Sequence, residues 1–174
     1  MVDDKNGLVC EVRASLLHKR CWYASCGGAA LTTFQLAIGD KIPRSVMLRN
    51  TAHSEDFRTH EGEANLLVWC TWRLDGIDAP VTSSDDGVDR VVEELNSLVG
   101  RDVVNVVVDL PGWDLHLDFT GGMRLHVFCD HVPGDPSFNG NWLLSLKNKR
   151  ICIGVGSKCK IEPREGSGQM TKLS

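Results

Sequence analysis

Residues 114–131 read DLHLDFTGGMRLHVFCDH, which sets three histidines, three aspartates and a cysteine around a Gly-Gly turn. Imidazoles and carboxylates at this density can ligate a metal, pass protons or pair with a partner's charges. A metal would draw on His116, Asp118 and His126, because zinc needs three or four convergent ligands. The other reading is a half-buried hairpin with a polar outer face, since His-x-Asp with a lone histidine across a turn is not a specific ligand signature.

Register separates the two readings. A two-residue loop at Gly121 and Gly122 puts Leu117 and His126 on one face, mixing apolar with polar. A three-residue loop, Gly121 to Met123, pairs Thr120 with Arg124 and gathers Leu115, Leu117, Phe119, Leu125, Val127 and Cys129 on one face. A one-residue slip turns a whole strand over, so burial selects the second arrangement. It predicts Cys129 in the core and His116, Asp118, Arg124, His126 and Phe128 on the opposite face, with Asp118 directly across from His126.

A second polar set lies upstream. Residues 75–94 hold Asp75, Asp78, Asp85, Asp86, Asp89, Glu93 and Glu94 against Arg90 alone. Such a segment is either a solvated helix face or a docking surface that steers a basic partner. On the docking reading, Asp85, Asp86, Asp89 and Glu93 join His116, Asp118, His126 and Phe128 as partner-contacting residues. Trp113 and Trp142 suit either an interface anchor or the core. Cys21-x4-Cys26 and Cys152-x6-Cys159 lack the short spacing of zinc knuckles and redox motifs. No phosphate-binding glycine loop, dinucleotide fingerprint, HExxH or GxSxG motif occurs, so no cofactor and no catalytic residue is expected.

The elements that must position these groups are mostly strands. Val88, Val91, Val92, Leu95, Leu98 and Val99 recur at helical spacing, which predicts an amphipathic helix over 86–99, capped by Asp85 or Asp86 and stopped by Gly100. VVNVVV at 103–108, DLHLDF, RLHVFCD, WLLSL and ICIGV read as strands separated by turns. Before the helix, TTFQLAIGD alternates as a strand should. EANLLVWCTWRLD reads as one long strand with Leu66, Val68, Cys70, Trp72 and Leu74 on one side. The fold class is therefore α+β, a mostly antiparallel meander with one main helix packed on the sheet. FQLAIGDKI (34–42) and LDFTGGMRL (117–125) echo one another, which suggests two related β halves. One domain over 1–161 and a flexible tail over 162–174 are expected, with a long polar connection at 43–60.

The whole chain narrows the function classes. Its 174 residues suit one core, and a net charge of −4 with no basic run argues against nucleic acid. The apolar runs are too short to span a bilayer, and the N-terminus does not read as a signal peptide. An odd count of seven scattered cysteines reads as reduced thiols in a cytoplasmic protein.

The run LVGRDVVNVVVDLPGWDLHLDFTGGMRLHVF, followed by Asn141-Trp142, combines a hydrophobic helix end, a glycine, two strands, a glycine turn, a third strand and an Asn-Trp strand start. Over about residues 98–156 this pattern resembles small β-rich uncharacterised bacterial proteins, a group that includes immunity proteins found beside toxins. The resemblance implies neutralisation of a toxin by direct binding, without catalysis, and carries over no functional residue. The alternative is a small-ligand or metal-binding protein, or an enzyme, using the His116/Asp118/His126 face.

Overall fold

The computed structural model describes residues 4–27, 33–131 and 140–164. Two antiparallel sheets and three helices make an α+β fold. The first sheet has six strands: β1 (Cys21–Gly27), β2 (Thr33–Pro43), β3 (His60–Val68), β9 (Trp142–Ser145), β10 (Lys149–Gly154) and β11 (Lys158–Pro163), adjacent in that order. The second has five, ordered β5 (Pro80–Ser83), β4 (Trp72–Asp75), β8 (Met123–Val127), β7 (Asp114–Phe119) and β6 (Val103–Asp109).

Alternation drives the packing. Phe34, Leu36 and Ile38 of β2, Leu66 and Val68 of β3, and Leu115, Leu117, Leu125 and Val127 of the β7–β8 hairpin enter one continuous core. Phe34 meets Trp72 edge-on across the sheets, ring centroids 5.0 Å apart. Trp142 Nε1 donates to the Trp113 carbonyl at 2.9 Å, so both tryptophans are core residues, not surface anchors.

The expected long strand at 63–75 is two strands in different sheets. β3 ends at Val68, and the Trp69 and Cys70 amides both donate to the Asn141 carbonyl, at 2.9 and 3.3 Å. The chain then turns into β4. The expected face is right, since Leu66, Val68, Cys70, Trp72 and Leu74 are all fully buried. The suggested duplication has no counterpart: 34–42 is one bulged strand, whereas 117–125 is a hairpin.

The predicted helix is α3 (Val88–Asn96), shorter than 86–99 and with a narrower buried stripe. Val91, Leu95 and Leu98 are buried, while Val88, Val92 and Val99 are exposed. Gly87 is its N-cap, without a side-chain bond; neither Asp85 nor Asp86 caps it. Asp86 instead accepts the Ser83 amide at 3.0 Å, closing the turn ahead of the helix.

A helix that the pattern did not announce opens the fold. α1 (Lys5–Leu16) starts at Asp4, whose carboxylate accepts the Gly7 amide at 2.7 Å, and buries Leu8, Val12 and Leu16. After it, residues 18–21 bond to 100–103: His18 N–H to the Val103 carbonyl at 2.8 Å and Cys21 N–H to the Arg101 carbonyl at 2.9 Å. These bonds stitch the β1 edge of one sheet to the β6 edge of the other. The connection at 43–60 carries a short helix, α2 (Glu55–Thr59), begun by Ser54, and lies against the outer face of the larger sheet. β11 runs to Pro163, two residues past the expected domain limit at 161; the rest of the expected tail, 165–174, lies outside the described residues.

Candidate binding face

The β7–β8 hairpin keeps the expected faces but not the expected pairs. Phe119 lies opposite Met123, so the three-residue loop is Thr120–Gly122, one position earlier than predicted. The reason is local. Gly121 and Gly122 both take left-handed backbone, φ +80 and +76, and this loop places a glycine at its last position, where the left-handed residue is normally needed. Moving the loop moves every pair: His116 now faces His126, and Asp118 faces Arg124. The predicted Asp118–His126 pair does not form. Cys129 lies past the end of β8, half-buried against the core, its thiol donating to the Trp113 carbonyl at 3.1 Å.

The outward residues of β4, β8, β7 and β6 form one polar surface. At its centre the two Nδ1 atoms of His116 and His126 are 2.8 Å apart. His116 Nε2 lies 3.1 Å from Asp109 Oδ2 on β6. His126 Nε2 lies 3.0 Å from Asp75 Oδ2 on β4, but its N–H is not aligned with that oxygen, so this contact acts through charge and not as a directed hydrogen bond. A row Asp109–His116–His126–Asp75 thus crosses all four strands. Phe128 lies parallel to the His126 ring, centroids 6.1 Å apart.

The flanking charges are paired within the face. Arg124 grips Asp118 through Nε at 2.5 Å and Nη2 at 3.3 Å, and Asn105 Nδ2 adds a bond at 3.1 Å. Burial alone would push the Asp118 carboxyl up, but these bonds outweigh it and hold it below the ordinary carboxylate range. Arg73 holds Asp75 the same way, at 2.7 and 3.0 Å, and that bond lowers the Asp75 pKa most. Burial lowers the His126 pKa, with the neighbouring His116 and Arg73 acting in the same direction against Asp75.

Two hollows mark this surface. A cleft of about 730 Å³ runs between the β4–β5 turn and the hairpin tip, lined by Arg73, Asp75, Ile77, Asp118, Gly122 and Arg124 among others. A shallower hollow of about 310 Å³ sits over Asn105, Val107, His116, Asp118, Arg124 and His126. No hydroxyl or thiol lines the second hollow. Asp118 turns to Arg124 and away from the histidines, and among the described residues no group of three or more His, Cys, Asp or Glu has an arrangement that could hold a metal ion.

The eight expected partner-contacting residues thus divide. His116, Asp118, His126 and Phe128 come together on the sheet face. Asp85, Asp86, Asp89 and Glu93 lie exposed on α3 and the turn before it. Because α3 packs its buried stripe into the core, these acids form a separate surface from the outward face of the sheet. Arg73, Asp75, Asn105 and Asp109 are additional members of the face. Alternation on β4 was a usable signal for the first two, since Trp72 and Leu74 point inward.

Among the described residues no helix is long and apolar enough to cross a membrane. Comparison of the chain with protein-family models, with curated proteins and with solved structures gave no match.

Proposed function

We propose that this protein acts by binding a basic protein partner through the outer face of its five-stranded sheet, without chemistry of its own. The observation that carries this reading is the row Asp109–His116–His126–Asp75, which no strand or helix among the described residues covers, bordered by Phe128 and the large cleft. Its side chains are fixed by one another before any partner arrives, which lowers the ordering cost of association. Three carboxylates (Asp75, Asp109, Asp118) against two guanidiniums (Arg73, Arg124) leave the face acidic when the histidines are neutral. The exposed acids of α3 and of the turn before it add long-range attraction for the same partner. The sequence resemblance supports a toxin as that partner, and the odd, scattered cysteines support a cytoplasmic setting for the complex.

The test is affinity capture from the source cells with the wild type and with a Phe128→Ala/Asp109→Lys variant of verified fold, which removes the ring and reverses an exposed acid of the face. A specific partner held by the wild type and lost by the variant supports the reading. Equal capture by both rejects this face.

The aligned Asp109–His116–His126 contacts favour a second reading, a small ligand seated in the hollow over the two imidazoles. On that reading His116→Ala abolishes small-molecule binding, and capture of a protein is unaffected.

A further inference from the structure

We propose that the opposite side of the molecule holds a separate site for a small organic anion, one carboxylate or phosphate group on a short apolar body. A cavity of about 250 Å³ lies between the outer face of the six-stranded sheet and the 44–59 segment that covers it. Its floor includes Asn65, Ser145 and Arg150, which stand in one register row across β3, β9 and β10. Leu48, Phe57 and Leu143 supply an apolar wall.

The charges in this cavity do not balance. Arg44 and Arg164 converge on a single oxygen, Glu61 Oε2, at 3.2 and 2.6 Å. Arg150 lines the same space, and its cross-strand neighbour Glu162 is engaged by Lys160 at 2.7 Å. Three guanidiniums against one carboxylate leave a surplus of two positive charges. Part of this charge is met by backbone carbonyls, Phe57 and His60 for Arg44 and Leu146 for Arg164, and Arg150 is exposed to solvent; the net positive charge that remains is what an incoming anion would meet.

Two of the three guanidiniums, Arg44 and Arg164, are also held in place. Arg44 Nε is held by the carbonyls of Phe57 and His60 at 3.1 and 2.9 Å, with its guanidinium over the Phe57 ring, and no acceptor among the described residues meets its Nη2. The Tyr23 hydroxyl lies 2.7 Å from His53 Nδ1. When it donates there, it leaves the His53 Nε2–H as a further donor. Arg58 anchors the roof by donating to the Leu48 carbonyl at 2.9 Å. Fixed donors beside an apolar wall are the usual composition of a small-ligand site.

The full chain should be titrated with phenyl phosphate, with benzoate and with neutral benzyl alcohol, followed by amide NMR. Saturable shifts at Asn65 and Ser145 are expected with at least one anion, and the tighter of the two identifies the headgroup. Arg150→Gln, which touches no bond of the clamp, should weaken that binding by about tenfold, as loss of one charge-assisted contact does. No saturable shift with either anion up to about 10 mM, far above a useful Kd, would overturn the proposal. So would equal binding of benzyl alcohol, or an affinity unchanged in Arg150→Gln.

Discussion

The Nδ1 atoms of His116 and His126 meet at 2.8 Å across the β7–β8 ladder, so one proton, and only one, can lie between them. In the neutral Nε2–H tautomer of His126 its Nδ1 accepts, and with both rings doubly protonated two N–H groups collide and the contact opens. The state of this pair therefore sets the shape of the face.

A pH dependence follows. Burial lowers the folded-state pKa of His126 below the ordinary histidine value, so the unfolded chain takes up the proton first. Stability is full above about pH 6.5, the unfolded value, and falls as pH drops through the lower folded value. Urea midpoints measured in small pH steps should show this loss in the wild type and not in His126→Gln. Asp75 and Asp118, whose pKa values are lowered, act in a separate, more acidic window. An identical slope in both proteins near pH 6 would contradict the assignment to His126.

The hairpin tip offers a test of its register. A Cβ on Gly122 would stand 2.6 Å from Ile77 Cγ1, and the backbone there is left-handed at φ +76. Gly122→Ala should cost about 1–2 kcal/mol from the backbone alone. Ile77 is 80% exposed and can move, so adding Ile77→Ala should recover only a small part of the loss. Full recovery in the double variant would mean that the contact, and not the backbone, governs this position.

α3 should discriminate between a leucine and a valine that look alike in sequence. Leu95 is fully buried and Val92 is 40% exposed. Leu95→Asp should cost about 3 kcal/mol or more, or abolish folding, because it buries an unpaired carboxylate. Val92→Asp should fold normally. Circular dichroism melts of the two proteins decide this, and equal effects would show the helix rotated from the orientation described.

Much of the architecture is legible in the sequence. Alternation marks β2 and β7, a β-branched run between turns marks β6, and 3.6-residue spacing marks α3, although only Val91, Leu95 and Leu98 of its stripe are buried. α1 was missed because only Leu8, Val12 and Leu16 enter the core, one residue per turn. The change of sheet after Val68 was missed because nothing local encodes it; no glycine or proline interrupts LLVWCTWRLD, and the acceptor that bends it is Asn141, far along the chain. At the hairpin, hydrophobic pattern fixes which side chains share a face but not a displacement of two in the pairing sum. Hence the pattern marks both histidines as outward-facing but does not set them opposite one another. The Glu61–Arg164 contact joins positions 103 residues apart, beyond the reach of any local pattern.

The thiols should react in an order set by burial. Cys10 is exposed; Cys21 is buried, and desolvation pushes its pKa up to about 12. Cys70 is also raised, chiefly by the adjacent Cys129 thiol and by burial. Labelling of the native protein near pH 8, read by mass spectrometry, should modify Cys10 first, half-buried Cys129 more slowly, and Cys21 and Cys70 only on unfolding. Early modification of Cys21 or Cys70 in folded protein would contradict their placement.

Charge reversal on α3 separates attraction from contact. Asp85, Asp89 and Glu93 changed to Lys should cost little stability, because they are exposed; Asp86 is left in place since it closes the turn at Ser83. With a basic partner in hand, stopped-flow mixing should give a slower association and a dissociation rate nearly unchanged, and added salt should slow the wild type. A wild-type rate insensitive to both salt and reversal would leave the sheet face as the sole determinant.

The passage of residues 60–75 from one sheet to the other has a mechanical meaning. A single run of chain supplies β3 to the interior of the six-stranded sheet and β4 to the five-stranded one, and the 18–21 with 100–103 bonds join the sheets again at their edges. Neither layer can peel away while the other stays intact, since release of one drags a strand out of its neighbour. Amide exchange from the protected positions of both layers should therefore report one shared opening event, with a common free energy and a common response to denaturant.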